Sequence, residues 1–110
     1  MIGVYATVTV QPEHVEEFLA TVPELVAASR KDIGNVNYDF GTGLNGENQF
    51  VFYERWESQA DLEEHLATEH FRAAAAVWEP ILAAPLEVRT VNLYTKTDLR
   101  DLKTRVEQAR

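Results

Sequence analysis

Apolar and polar residues alternate strictly at the start of the chain. Ile2, Val4, Ala6, Val8 and Val10 share one face, and Tyr5, Thr7 and Thr9 share the other. That period of two predicts a strand. Gln11-Pro12 then punctuates the chain, and Pro is well placed in a first helical turn. From there the spacing changes to three and four, with Val15, Phe18, Leu19, Val22, Leu25 and Val26 forming a stripe on a helix that runs to about Arg30. Glu13, Glu16 and Glu17 favour the start of that helix, whereas Pro23 is expected to cost it a hydrogen bond and to kink it.

Gly34 restarts the chain. Val36, Tyr38 and Phe40 alternate with Asn35, Asn37 and Asp39, a second strand. Three glycines and the Asn45-Gly46 dipeptide between Gly41 and Asn48 predict a hairpin loop. A third strand follows from Gln49 to Glu57. Ser58, with Asp61 three residues on, caps a short helix carrying Leu62, His65 and Leu66 on one side. Thr68 caps a longer one along Phe71, Ala74, Ala75, Trp78, Ile81 and Leu82, which Pro80 and Pro85 end. Leu86 to Tyr94 reads as a fourth strand. Thr97 to Arg110 reads as a helix with Leu99, Leu102, Val106 and Ala109 along one side.

The order β-α-β-β-α-β plus a terminal helix predicts an α+β, ferredoxin-like fold: a four-stranded antiparallel sheet with two main helices on one face. The third strand adds an assembly expectation. Phe50, Phe52 and Trp56 lie on one of its faces and Val51 and Tyr53 on the other, so both faces are apolar. Helices can cover only one face. The other is expected to be covered by a second copy packed sheet to sheet, or by the terminal helix folding back.

Composition narrows the function. The 110 residues suffice for one domain, expected over residues 1–95 with 96–110 as a helical extension. The absence of cysteine excludes disulfides, thiol nucleophiles and cysteine zinc sites, and fits a cytoplasmic location. No signal peptide is expected at the N-terminus, and no apolar run approaches the ~18–20 residues of a membrane span. The net charge of −8 disfavours nucleic acid. Residues 96–110 hold five basic and three acidic side chains against an acidic remainder, so the extension could reach an acidic partner chain.

No phosphate-cradling loop and no nucleophile elbow occurs. The candidates for chemistry are therefore few. His14 sits among glutamates and reads as solvated surface. His65 shares a helix side with Leu62 and Leu66 and should point at the sheet, as a proton acceptor or as a hydrogen-bonded core histidine. His70 lies in a first helical turn, where the dipole favours neutral imidazole, suiting a base or a local cap. Glu54 sits between Phe52 and Trp56 on one strand face, where a charge must be paired, by a histidine in a cavity or by water at a rim. Asn37 and Asn35 could line the same space, and Trp78 reads as core. These loosely spaced groups do not make a metal site, and none is expected.

The run from Phe50 to Phe71, with Tyr-Glu-x-Trp over 53–56, an acidic capped helix, then His65-Leu-Ala-x-x-His70-Phe71, resembles the signature of the antibiotic biosynthesis monooxygenase family. Gly34-x-x-x-Tyr38, Pro80 and Pro85-Leu-Glu-Val also fit, and the resemblance covers residues 2 to about 94. It implies a quinol monooxygenase-like protein of the dimeric α/β barrel type, with a pocket between sheet and helices in each subunit. It further implies oxidation of a quinol, anthrone or other polycyclic phenol by dioxygen, with no cofactor, through deprotonation of the substrate. On this resemblance His65, His70 and Trp56 carry the chemistry, and Glu54, Asn37, Phe52 and Phe71 bind the substrate. Asn35 stands where many relatives carry Cys, and Asn37 where a basic residue is common. Ala73 to Ala76 stand where a heme-degrading relative would show a ligating histidine, so heme is not expected. A small-metabolite isomerase or lyase on the same scaffold, or a ligand-binding module without turnover, are the alternatives.

Overall fold

The computed structural model describes residues 1–44 and 46–109. The chain runs β1 (Ile2–Thr9), α1 (Val15–Ser29), β2 (Asn35–Thr42), β3 (Gln49–Trp56), α2 (Gln59–Leu66), α3 (Glu69–Trp78), β4 (Glu87–Asn92) and α4 (Lys96–Gln108), with 3-10 turns at Pro12–His14 and Glu79–Ile81. The sheet order is β2-β3-β1-β4 and every pairing is antiparallel, the α+β ferredoxin-like arrangement expected from the pattern. The Asn45-Gly46 turn lies outside the described residues at Asn45.

Register puts the apolar sets on one face. Val4 pairs with Glu54 and Ala6 with Phe52, while Tyr38 and Phe40 meet the same two β3 residues from the other side. Against this face α1 buries Phe18, Val22, Leu25 and Ser29, and α3 buries Ala74 and Trp78. The core is aromatic at its centre, with the Phe18 ring 4.9 Å from Phe50 and 5.3 Å from Trp78. Pro23 stays inside α1 without ending it. Nearby, the Thr21 hydroxyl donates to the Phe18 carbonyl at 2.7 Å and accepts from the Trp78 indole at 2.8 Å, tying α1 to α3.

Two local features depart from simple periodicity. The register between β2 and β3 shifts between Asn35 and Asn37, and the Asn35 amide bridges the irregularity to the Asn37 carbonyl at 2.9 Å. The extra residue turns Val36 out to solvent instead of keeping it beside Tyr38 and Phe40. Gly34 adopts φ +81°, a conformation open to glycine, and a side chain there would collide with Asp61 at the start of α2.

Both α2 and α3 begin where their caps dictate. Ser58 Oγ accepts from Asp61 N at 3.1 Å and Thr68 Oγ1 from Phe71 N at 3.3 Å. The fourth strand is shorter than its pattern, and all of its residues are exposed. A Thr95/Asp98 capping box starts α4, yet this helix buries no residue. The sheet face away from the helices leaves Tyr5, Tyr53 and Val91 open to solvent.

Candidate functional site

A cavity of about 200 Å³ lies between the inner face of the sheet and α2 and α3. Its floor is Val4, Ala6 and Phe52; its helical roof is Leu62, Leu66, Phe71 and Trp78; its outer wall is Val88 and Thr90 of β4 with Leu86 just before that strand. Three titratable side chains reach this apolar space: Tyr38, Glu54 and His65. A wider hollow lies where α4 leaves the sheet, lined by Met1, Tyr94, Asp98, Asp101 and Arg105, but it gathers no buried proton carrier.

Glu54 is buried because the period of β3 puts it on the core face between Phe52 and Trp56. The Trp56 indole N–H donates to its Oε1 at 2.9 Å. Burial nevertheless pushes its carboxyl up to about 7, with the Trp56 bond opposing the rise. Trp56 itself stands behind Glu54 and is fully buried. The Tyr38 phenol stays neutral, because burial and the neighbouring Glu54 carboxylate both oppose its ionisation.

His65 projects from α2 into a ring of aromatic groups. Its centroid lies 4.6 Å from Trp56 and 5.3 Å from both Tyr38 and Phe71. Burial pulls its pKa below the usual histidine value, with Asp32 pulling the other way, so the ring is neutral at pH 7. Its Nδ1 lies 2.8 Å from Asp32 Oδ2, and His70 Nε2 lies 2.8 Å from the same oxygen. The ligand atoms of Asp32, His65 and His70 fall within 4.8 Å of one another. Two imidazoles and a carboxylate could in principle hold a divalent ion; at the separations seen they form hydrogen bonds.

The structure brings His65, Glu54, Phe52 and Phe71 together on the cavity, with Trp56 supporting Glu54. It places His70 on Asp32, bordering a shallow groove between α1 and α3. Asn37 stands apart: it contacts the Tyr53 carbonyl, Asp39 and Arg55 and does not line the cavity. Glu54 takes its hydrogen bond from a tryptophan, whereas the pattern suggested a histidine or water. His14 does sit among glutamates, paired with Glu17 at 3.0 Å. Sequence reading missed Asp32, which lies in an irregular loop whose partners come 33 and 38 residues later. It also missed the β4 wall. The positive φ at Gly34, two residues after Asp32, is the local feature that holds this loop.

The family model for antibiotic biosynthesis monooxygenase matches residues 1–77. The Bacillus subtilis protein named "Putative monooxygenase YcnE" is 40% identical over 88 residues, which is 80% of this chain and 93% of that protein. A crystal structure of an antibiotic biosynthesis monooxygenase superposes with a TM-score of 0.81 at 27% identity, covering 86% of this chain and 100% of that one. The structure of PA3566 from Pseudomonas aeruginosa does so with a TM-score of 0.78 at 29% identity, covering 86% and 94%. The family match over residues 1–77 includes β1, β3 and α2, which carry Val4, Phe52, Glu54 and His65 to the cavity. The chain belongs to the antibiotic biosynthesis monooxygenase family.

Proposed function

We propose that the protein is a cofactor-independent monooxygenase that oxidises a quinol, anthrone or related phenol with dioxygen. The observation that carries this reading is the buried imidazole of His65 on the wall of an apolar cavity whose lining, among the described residues, includes no Lys or Arg. Such a ring can take a phenolic or benzylic proton. The anion left behind is electron-rich and gives its electrons to dioxygen. The substrate loses two hydrogens and gains one oxygen atom as a carbonyl, the other oxygen atom leaves with those hydrogens as water, and all four electrons that dioxygen takes up come from the substrate.

The chain's own contribution is a dry site that orients the ring and leaves the proton on His65. Phe52 and Phe71 offer flat apolar walls, and Glu54, protonated below about pH 7, can donate a hydrogen bond to a substrate oxygen. At about 200 Å³ the cavity lies below the roughly 300–1,000 Å³ of drug-sized ligand sites. That favours one- and two-ring quinols over larger polycycles unless rings project past β4. A homodimer packed through the outer sheet faces accompanies this reading, supported by the exposed Tyr5, Tyr53 and Val91. Oxygen uptake across a panel of quinols and anthrones tests it, with His65→Ala as the control. Uptake that is abolished in the variant supports it. Tight binding with no uptake across the panel would leave a ligand-binding module instead.

A further inference from the structure

We infer that Asp32 is a positioning residue that locks His65 in the tautomer with its proton on Nδ1, leaving Nε2 bare toward the cavity. The inference rests on the reading of His65 as base, and gives that base its orientation.

The loop that carries Asp32 is pinned on both sides. The Asp32 N–H donates to the Ser29 carbonyl at 3.1 Å, and its own carbonyl accepts from Asn35 N at 3.1 Å. Gly34 takes the left-handed turn that brings the chain back, and its carbonyl accepts from Glu57 N at 2.8 Å, joining the loop to the end of β3. The carboxylate is thus held at a fixed place, mostly shielded, beside a ring that is 1% exposed.

An ionised carboxylate can only accept hydrogen bonds. Both nitrogens that meet Oδ2, His65 Nδ1 and His70 Nε2, must therefore carry protons. A neutral imidazole carries one proton, so the second nitrogen of the His65 ring is a free lone pair. Asp32 does not line the cavity and His65 does; the ring edge away from Asp32 is the one a ligand meets. Without this anchor the His65 proton is free to move to Nε2, the atom that must be empty to accept one. The groups facing the ring are Asp32, His70, Tyr38 and Glu54. Of these, Asp32 alone has its oxygen on a ring nitrogen among the described residues.

The test is nitrogen-15 NMR of the histidine rings in the full chain, beside oxygen uptake in Asp32→Asn, Asp32→Glu and His70→Gln. The wild type is expected to show His65 with Nδ1 protonated and Nε2 bare. Asp32→Asn, whose amide can donate to Nδ1, is expected to move the proton to Nε2 and to lower turnover roughly 100-fold or more, with KM little changed. Asp32→Glu keeps a carboxylate and should restore the Nδ1–H signature in part. His70→Gln should leave it in place. A wild-type His65 protonated on Nε2, or a tautomer unmoved in Asp32→Asn, overturns the inference. If Asp32→Asn does not fold, the wild-type spectrum and Asp32→Glu still decide it. A correct tautomer with no oxygen uptake anywhere would sink the proposed reaction and leave the role of Asp32 standing.

Discussion

Glu54 and Trp56 stand two residues apart on one face of β3, and the indole of Trp56 donates to the Glu54 carboxylate at 2.9 Å. The pair is built by strand period alone, since alternate residues share a face. It places an acid in an apolar cavity with one partner of its own. Replacing Trp56 with Phe keeps the ring and removes the donor. Stability is expected to fall by about 1–3 kcal/mol in urea unfolding, and the Glu54 carboxyl, no longer opposed, should titrate higher than in the wild type.

The raised Glu54 makes stability depend on pH in a defined direction. Its carboxyl titrates at about 7 in the fold against 4.5 in a free chain. Between those values the folded protein holds a proton that the unfolded chain has released. Stability is therefore drawn down as pH rises through this window, by on the order of 3 kcal/mol at most. Glu54→Gln should flatten that slope in unfolding midpoints measured from pH 5 to pH 8.

His65 sets the opposite trend on the acid side. Burial holds its folded pKa below 6.5, so the unfolded chain binds a proton that the folded ring resists, and stability falls as pH drops below 6.5. In Glu54→Gln, where the carboxyl that titrates at about 7 is gone, oxygen uptake should stay level from pH 7 down through 6.5 and decline only below it, because the base remains neutral over that range. His65→Ala is expected to cut the rate ~10²–10⁴-fold.

A fourth expectation concerns the β4 wall. Val88 lines the cavity and is also exposed. Val88→Trp should narrow the opening and raise KM for quinols, while stability stays within about 0.5 kcal/mol because the position is at the surface. Steady-state kinetics beside thermal unfolding separates the two effects.

The outer sheet face supplies the last. Tyr53→Glu places a charge amid Tyr5, Val51 and Val91. Sedimentation should show the wild type as two copies and the variant as one, with the circular dichroism of the fold unchanged.

Much of this was legible in the residues. Strict alternation placed Val4, Ala6, Phe52, Glu54 and Trp56 on the core face, and Ser58 and Thr68 marked the helix starts that the structure shows. His65 pointing at the sheet followed from its spacing to Leu62. What failed to show were the effects of three-dimensional closure. Val36 fell to an irregular register, which a period of two does not encode. Asp32 came to His65 and His70 through a loop with no period at all. In the β4 wall, Val88 and Thr90 line the cavity because the register sets them opposite Ala6 and Val4 of its floor, a pairing that the period of β4 alone does not reveal.

The exposure of that wall has a kinetic meaning. Leu86, Val88 and Thr90 border the cavity and the solvent at once, so among the described residues of one chain a ligand meets no lid on this side. Capture should then be governed by collision and by shedding of water, with association rates that scale with solvent viscosity and show no lag from a conformational step.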